Sequence, residues 1–158
     1  MRDHLDSIAE QWRRERPDLD VAPLATLGRL FRTAHLADRA LRQPGLEPGW
    51  FDLLAALRRA GPPYELNPTA LVEATMLTSG GITKRLDRLE AAGLIERRPD
   101  PGDRRGTLVR LTRKGRTAID RAVETHVANE ADLLATLSAR ERRELDALLR
   151  KLLAGVEP

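Results

Sequence analysis

No cysteine occurs in the 158 residues, which excludes disulfides, Cys-ligated zinc and thiol-based redox sensing together. Methionine is confined to Met1 and Met76, so an oxidation switch built on thioethers is not expected. Aromatic residues make up only 3% of the chain against 41% hydrophobic residues in total. The core must therefore come from aliphatic faces rich in Ala and Leu, which favours a mainly α protein over a β-sandwich. No apolar run approaches the roughly 18 residues of a membrane span. Residues 1–10 alternate in charge where a signal peptide would carry its apolar stretch. A cytoplasmic location with no membrane partner is expected. Catalytic groupings are missing too: no nucleophile stands beside a base, and no phosphate loop or paired carboxylates are evident. His4, His35 and His126 lack metal-ligand spacing. Neither an enzyme, a metal site nor a cofactor is expected, and Gly80-Gly81 is too short for a nucleotide fingerprint.

What the chain does have is charge in one place. Residues 82–116 carry 11 Lys/Arg against 5 Asp/Glu, whereas the rest of the chain carries 16 against 19. The formal net charge of +3 hides this contrast, and a local cationic cluster is the footprint left by phosphate neutralisation on a nucleic acid.

Apolar spacing predicts the elements around that cluster. Leu5, Ile8 and Trp12 define a short amphipathic helix ended by Pro17. Leu24, Leu27, Leu30, Phe31, Ala34 and Leu41 define a second over 23–41, stopped at Gln43-Pro44-Gly45. A third, 48–60, turns Trp50, Leu53, Leu54 and Leu57 inward and closes at Gly61-Pro62-Pro63. Residues 64–66 suit a very short strand. Asn67 then caps a helix with Pro68 at its first position and Leu71, Val72 and Met76 inward. Thr78 or Ser79 is the expected cap of the next helix, which buries Ile82, Leu86 and Leu89 and ends at a left-handed Gly93. Strands are expected over 94–98 and 107–111, with 99–106 as the loop between them. Thr112 caps a long helix to about Leu137. Ser138 and Glu141 form a capping box that opens a last helix with Leu145, Leu148, Leu149 and Leu152 on one face.

Helix, turn, helix, then a basic hairpin is the order of a winged helix-turn-helix. With its apolar stripe inward, the second helix presents Ser79, Gly80, Thr83, Lys84, Asp87 and Arg88 outward, a small polar face suited to the major groove. Thr78 and, in the first wing strand, Arg98 complete the candidate duplex contacts outside the hairpin tip. At the tip, Asp103, Arg104 and Arg105 are candidates for the minor groove, with Asp103 orienting a guanidinium and Arg105 as first choice for insertion. The alternative is an ordinary charged loop beside a solvated helix face. The terminal helices carry more apolar surface than one small domain covers, so a twofold mate is expected to pack on them and to supply a second reading head.

The segment ITKRLDRLEAAGLIERRPDPGDRRGTLVRLTRKG closely resembles the recognition helix and wing of MarR-type transcription regulators. The resemblance implies a single MarR-type domain over 1–158. In it, 1–45 serves dimerisation and an effector pocket, 46–116 is the winged helix-turn-helix, and 117–158 is a dimerisation region. It implies a homodimer on double-stranded DNA with a palindromic operator, usually repressing, and released by a small molecule. A narrower likeness, to the urate-responsive branch, rests on the amino-terminal helix with Trp12, on Asp52 in WFDLLAALRRAG, Arg85 in TKRLDRL and Arg97 in IERRPD. It implies that these four line the pocket of a small anionic effector. The Arg pair would neutralise a purine anion, the indole would cover its ring, and Asp52 would be repelled by it. Bland readings stand beside these. Trp12 can be a hydrophobic anchor, Asp52 a helix-dipole residue or ion-pair partner of Arg85, and Arg97 a phosphate contact. Two rival functions remain: a MarR-type regulator answering phenolic or hydrophobic compounds, and an architectural or protein-interaction dimer with no specific readout.

Overall fold

A computed structural model describes residues 2–42, 45–75 and 81–157, without the side chains of 104 and 105. It divides into two compact units, Met1–Arg42 and Gln43–Pro158.

The first unit is a pair of helices, α1 (His4–Glu15) and α2 (Ala22–Ala40). Asp3 caps α1 in a reciprocal box with Asp6, and Pro23 fits the first turn of α2 because its missing N–H would be unpaired there anyway. The interior is small, formed by Ala9, Val21 and Ala25. Charge supplements it. Arg29 on α2 donates to Asp3 at 2.7 Å and to Asp6 at 2.5 Å. The guanidinium and the local amides hold the Asp3 carboxyl down at about 2. Asp6 is also lowered, first by the Asp3 backbone N–H and then by Arg29.

The second unit contains α3 (Trp50–Arg59), β1 (Glu65–Leu66), α4 (Pro68–Glu73), α5 (Ile82–Ala91), β2 (Ile95–Asp100), β3 (Asp103–Leu111), α6 (Arg113–Leu133) and α7 (Ala139–Ala154). The strands form an antiparallel sheet in the order β1-β3-β2. Fully buried Leu53, Leu54, Leu57, Leu71, Leu89, Ile95, Val109 and Ile119 join α3, α4, α5, the sheet and α6 in one core. This is a mainly α winged helix-turn-helix with a small sheet. Among the described residues no helix is long and apolar enough to cross a membrane.

Several expected features hold. The short strand before Asn67 exists and pairs Glu65 with Arg110. Asn67 accepts from the Ala70 N–H at 2.8 Å, Leu71 is buried, and Thr112 and Ser138 cap α6 and α7 as their sequence signatures indicate. Met76 lies outside the described residues.

Four boundaries are corrected. Helix α5 is capped by neither Thr78 nor Ser79: its N-cap is Gly81, at φ +81°, a left-handed conformation that glycine adopts without a Cβ clash. Thr78, Ser79 and Gly80 lie outside the described residues. Helix α3 begins at Trp50, because Gly49 is likewise left-handed. The wing loop shrinks from 99–106 to Pro101-Gly102. Pro99 is tolerated inside β2 because β2 is an edge strand, and a register shift follows it. Asp100 then accepts from the Gly102 N–H at 2.8 Å and tightens the turn. Helix α6 stops at Leu133, where tight turns from Asp132 to Ala135 and from Leu134 to Leu137 lead into the Ser138 cap.

One close approach fixes the junction of α5, the sheet and α6. Helix α5 ends with the Gly93 N–H on Glu90 O and the Leu94 N–H on Leu89 O, the paired closure that follows a left-handed glycine. The Leu94 carbonyl then accepts from the Thr112 N–H at 3.1 Å, while the Thr112 hydroxyl donates to the Gly93 carbonyl at 2.7 Å, with Leu94 O further off at 3.2 Å. Gly115 packs on it so tightly that a Cβ there would sit 1.9 Å from the Leu94 oxygen.

Gly115→Ala must therefore push α6 off the sheet. We expect a loss of about 3 kcal/mol and a lower urea midpoint at unchanged slope, and a wild-type midpoint would show that the junction is compliant. In the first unit the sign of the pH dependence follows from depressed carboxylates. The Asp3/Asp6–Arg29 contribution is full above the ordinary value of 3.8 and is lost as pH falls towards 2. Protection of the α1 amides, measured against their intrinsic exchange rate at each pH, should fall across that window in the wild type and show no such step in Arg29→Gln.

Candidate nucleic-acid interface

The reading head is built from α4, α5 and the β2–β3 wing. Ile82, Leu86 and Leu89 are buried, so α5 is pinned with Thr83, Lys84, Asp87 and Arg88 on its exposed side. Lys84 has no carboxylate within 4 Å among the described residues. Arg88, by contrast, donates to Glu47 at 2.7 Å, a pair that a phosphate must displace before Arg88 can serve a duplex.

Arg97 binds α5 to the wing. It sits in β2 opposite the fully buried Val109, and the alternation of the strand sends its side chain to the core side of the sheet. Its guanidinium donates to Asp87 and to Glu90, both at 2.7 Å, while its own N–H donates to the other Glu90 oxygen at 3.0 Å. Partial burial works against its charge, but the two carboxylates outweigh that and hold its pKa above the ordinary value. Arg98 points to the other face and pairs with Glu65 of β1. Asp103 opens β3, and the backbone of Arg104 and Arg105 runs on from the turn inside the strand.

Of the four residues expected around an effector, three lie in the second unit. Asp52, in the first turn of α3, lines a cavity of about 970 Å³ between α3 and α6. Arg58, Arg59, Asp120 and Glu124 also line it, and Phe51 and His126 stack there at 4.3 Å. Arg58 donates to Asp120 at 2.7 Å. Arg85 and Arg97 do not line this cavity. Arg85 folds against the α3 amino terminus, where a Cβ on Gly49 would lie 2.9 Å from its Nε. Trp12 is on α1 of the first unit, 45% exposed.

Sequence reasoning passed over Arg58, Arg59 and the Phe51–His126 stack. Phe51, Arg58 and Arg59 flank the predicted inward stripe of α3, so heptad-like spacing alone gave them no role. His126, which lacks metal-ligand spacing in the sequence, takes a packing role in this stack.

Comparison with known proteins identifies the lineage of this architecture. Residues 45–106 match the model of the MarR family. The transcriptional regulator PecS of Dickeya dadantii is 45% identical over 152 residues, covering 94% of this chain and 92% of PecS. The chain belongs to the MarR family. Its relatives are named as transcriptional regulators and not as enzymes. A mutant MarR from Escherichia coli, solved with operator DNA, shares 29% identity at a TM-score of 0.73, covering 84% of this chain and 97% of that one. BpsR of Bordetella bronchiseptica, whose DNA binding is regulated by 6-hydroxynicotinic acid, shares 28% at a TM-score of 0.70, covering 80% and 98%.

If Arg97 sets the angle between α5 and the wing of this MarR-family head, Arg97→Gln should cost only about 1 kcal/mol, or roughly 2–4 °C in Tm. Operator affinity should nonetheless fall about tenfold, since both contact surfaces must meet the duplex together. Anisotropy titrations at fixed salt test this, and an unchanged Kd would mean that packing alone sets the angle.

Proposed function

We propose that the protein is a homodimeric, ligand-responsive repressor that holds a palindromic operator and releases it on binding a small anionic effector such as urate. The observation that carries this is the fixed α5–wing head, with Thr83 and Lys84 presented on one exposed face and the basic turn on an extended hairpin. Thr83, Lys84 and Arg88 meet the major groove, and Asp103, Arg104 and Arg105 serve the wing contact. Thr78, Ser79 and Gly80 are assigned to the duplex by their sequence context alone. Arg98, engaged by Glu65, steadies the sheet beneath it.

Dimerisation rests on unburied apolar faces. Helix α7 buries none of its residues, and Leu145, Leu148, Leu149 and Leu152 are 38–66% exposed. In the first unit Phe31 is 68% exposed. A second copy covers these faces, which lie in the terminal segments assigned to dimerisation. Covering them would contribute at roughly 25 cal/mol per Å² removed from water.

Effector sensing rests on Asp52 at the α3–α6 cavity. An entering anion meets Arg58 and Arg59 as counter-charges and repels Asp52, and any displacement of α3 strains the core shared with α5. Arg97 then acts on the reading head, by losing or keeping Asp87 and Glu90. Trp12 is assigned to the effector by the likeness of its sequence context alone. A small heteroaromatic acid regulates BpsR, and the same chemical class fits here. The apolar lining by Phe51, Ala55 and Val123 favours a second reading, a regulator of neutral phenolic compounds.

A mobility-shift assay on DNA upstream of the coding sequence, titrated with urate, xanthine, 6-hydroxynicotinate and phenol, separates these readings. Asp52→Asn should leave operator affinity within about twofold and weaken the urate response about tenfold, the scale of one lost charge interaction. Release by phenol alone would transfer the assignment to the neutral class, and an unaltered urate response in Asp52→Asn would remove Asp52 from the effector site. Equal affinity for scrambled duplex would leave an architectural dimer.

A further inference from the structure

A second cavity, of about 480 Å³, opens at the base of the wing, lined by Pro62, Pro63 and Leu111 together with Arg110, Arg113 and Arg116. No carboxylate lines it. Arg113 and Arg116 have no acidic partner within 4 Å among the described residues, and Arg110 reaches only Glu96 among them, at 3.9 Å. Several other guanidiniums of this unit are held closely by carboxylates: Arg58 by Asp120, Arg88 by Glu47, and Arg97 by Asp87 and Glu90, each at 2.7 Å. At this cavity three guanidiniums gather on one wall with no carboxylate in the lining.

Tyr64, also on the cavity wall, is held in place firmly. Its φ is +64°, a left-handed conformation that costs a non-glycine residue on the order of 1 kcal/mol. The surroundings maintain it: its N–H donates to Gly61 O at 2.5 Å and its carbonyl accepts from the Leu111 N–H at 3.1 Å. The guanidiniums of Arg58 and Arg116 lie 5.0 and 5.4 Å from its ring centroid. The aromatic wall therefore orients Arg116 at the cavity without cancelling its charge.

The place in the fold sets this site apart from the wing turn. Strand β3 runs from Asp103 beside the wing turn to Leu111 at the cavity, eight steps of about 3.3 Å, or about 26 Å. Like charges gathered away from the nucleic acid repel one another unless an anion joins them, and planar guanidiniums match carboxylate and phosphate oxygens. We propose that this cavity binds a small organic anion, a carboxylate or phosphate monoester on an apolar body, as a ligand site distinct from the Asp52 cavity. The arginines take the charged group, and Pro62, Pro63 and Leu111 take the body.

The test is a ¹⁵N NMR titration of the full-length protein with phenyl phosphate, benzoate and inorganic phosphate, ionic strength being held constant with chloride. Saturable shifts are expected at the amides of Tyr64, Arg113 and Lys114, with phenyl phosphate or benzoate binding more tightly than inorganic phosphate. Arg113→Gln/Arg116→Gln should weaken binding at least about tenfold, with the exposed single variant Arg113→Gln as a milder counterpart. Asp52→Asn should bind as the wild type does, so the outcome is independent of the effector reading. Linear, non-saturating shifts, or an unchanged Kd in both arginine variants, would overturn the proposal. So would a double variant that loses affinity for every duplex sequence while small anions fail to saturate, because the arginines would then hold DNA phosphate. Inorganic phosphate binding as tightly as phenyl phosphate would overturn the role of the apolar wall.

Discussion

The contact of Gly115 with the Leu94 carbonyl is the constraint on which the second unit turns. At that point α5 has just closed, β2 is about to begin, β3 has ended and α6 has started. The Leu94 carbonyl oxygen takes the Thr112 N–H, the Thr112 hydroxyl donates chiefly to the neighbouring Gly93 carbonyl, and Gly115 is left no room for a side chain against Leu94. Because packed interiors transmit displacement instead of absorbing it, the start of α6 and the base of the wing move together. Helix α3 packs on α6 and on the same core as α5, so the Asp52 cavity lies within the body that aims the reading head.

Charge in this unit is matched internally before it is offered outward. The cluster of 11 cations over 82–116 suggests a broad field, yet Arg88, Arg97 and Arg98 are engaged by Glu47, Asp87, Glu90 and Glu65. Lys114 donates to Ala92 O at 2.7 Å and fastens α6 to the end of α5. Lys84 stands exposed on α5, and Arg113 and Arg116 stand exposed at the other end of the sheet. Exposed ion pairs contribute little to stability, so the pairs on α5 matter mainly for geometry and for the exchange a phosphate must make.

The sequence by itself determined the order of the elements and most of their ends. Asn67, Thr112 and the Ser138/Glu141 box act through bonds to amides three residues away, and the stripe of Ile82, Leu86 and Leu89 follows from a 3.6-residue repeat. Local chemistry of this kind is complete within a few residues. It failed where two local signals competed: Thr78 and Ser79 have capping side chains, but Gly81 supplied the backbone angle. It failed again where an edge strand accepted Pro99.

Only the tertiary structure decided which charges meet. Arg97 and Asp52 were both legible as charged residues of interest, but the pleat sends Arg97 to Asp87 and Glu90, while α3 turns Asp52 to a cavity shared with Arg58, Arg59 and His126. Tyr64 and Arg116 are 52 positions apart in the chain and meet because β1 pairs with the end of β3. A side chain's partner depends on strand register and helix docking, which are set by the whole core, whereas a cap or an apolar stripe is set by its neighbours in sequence.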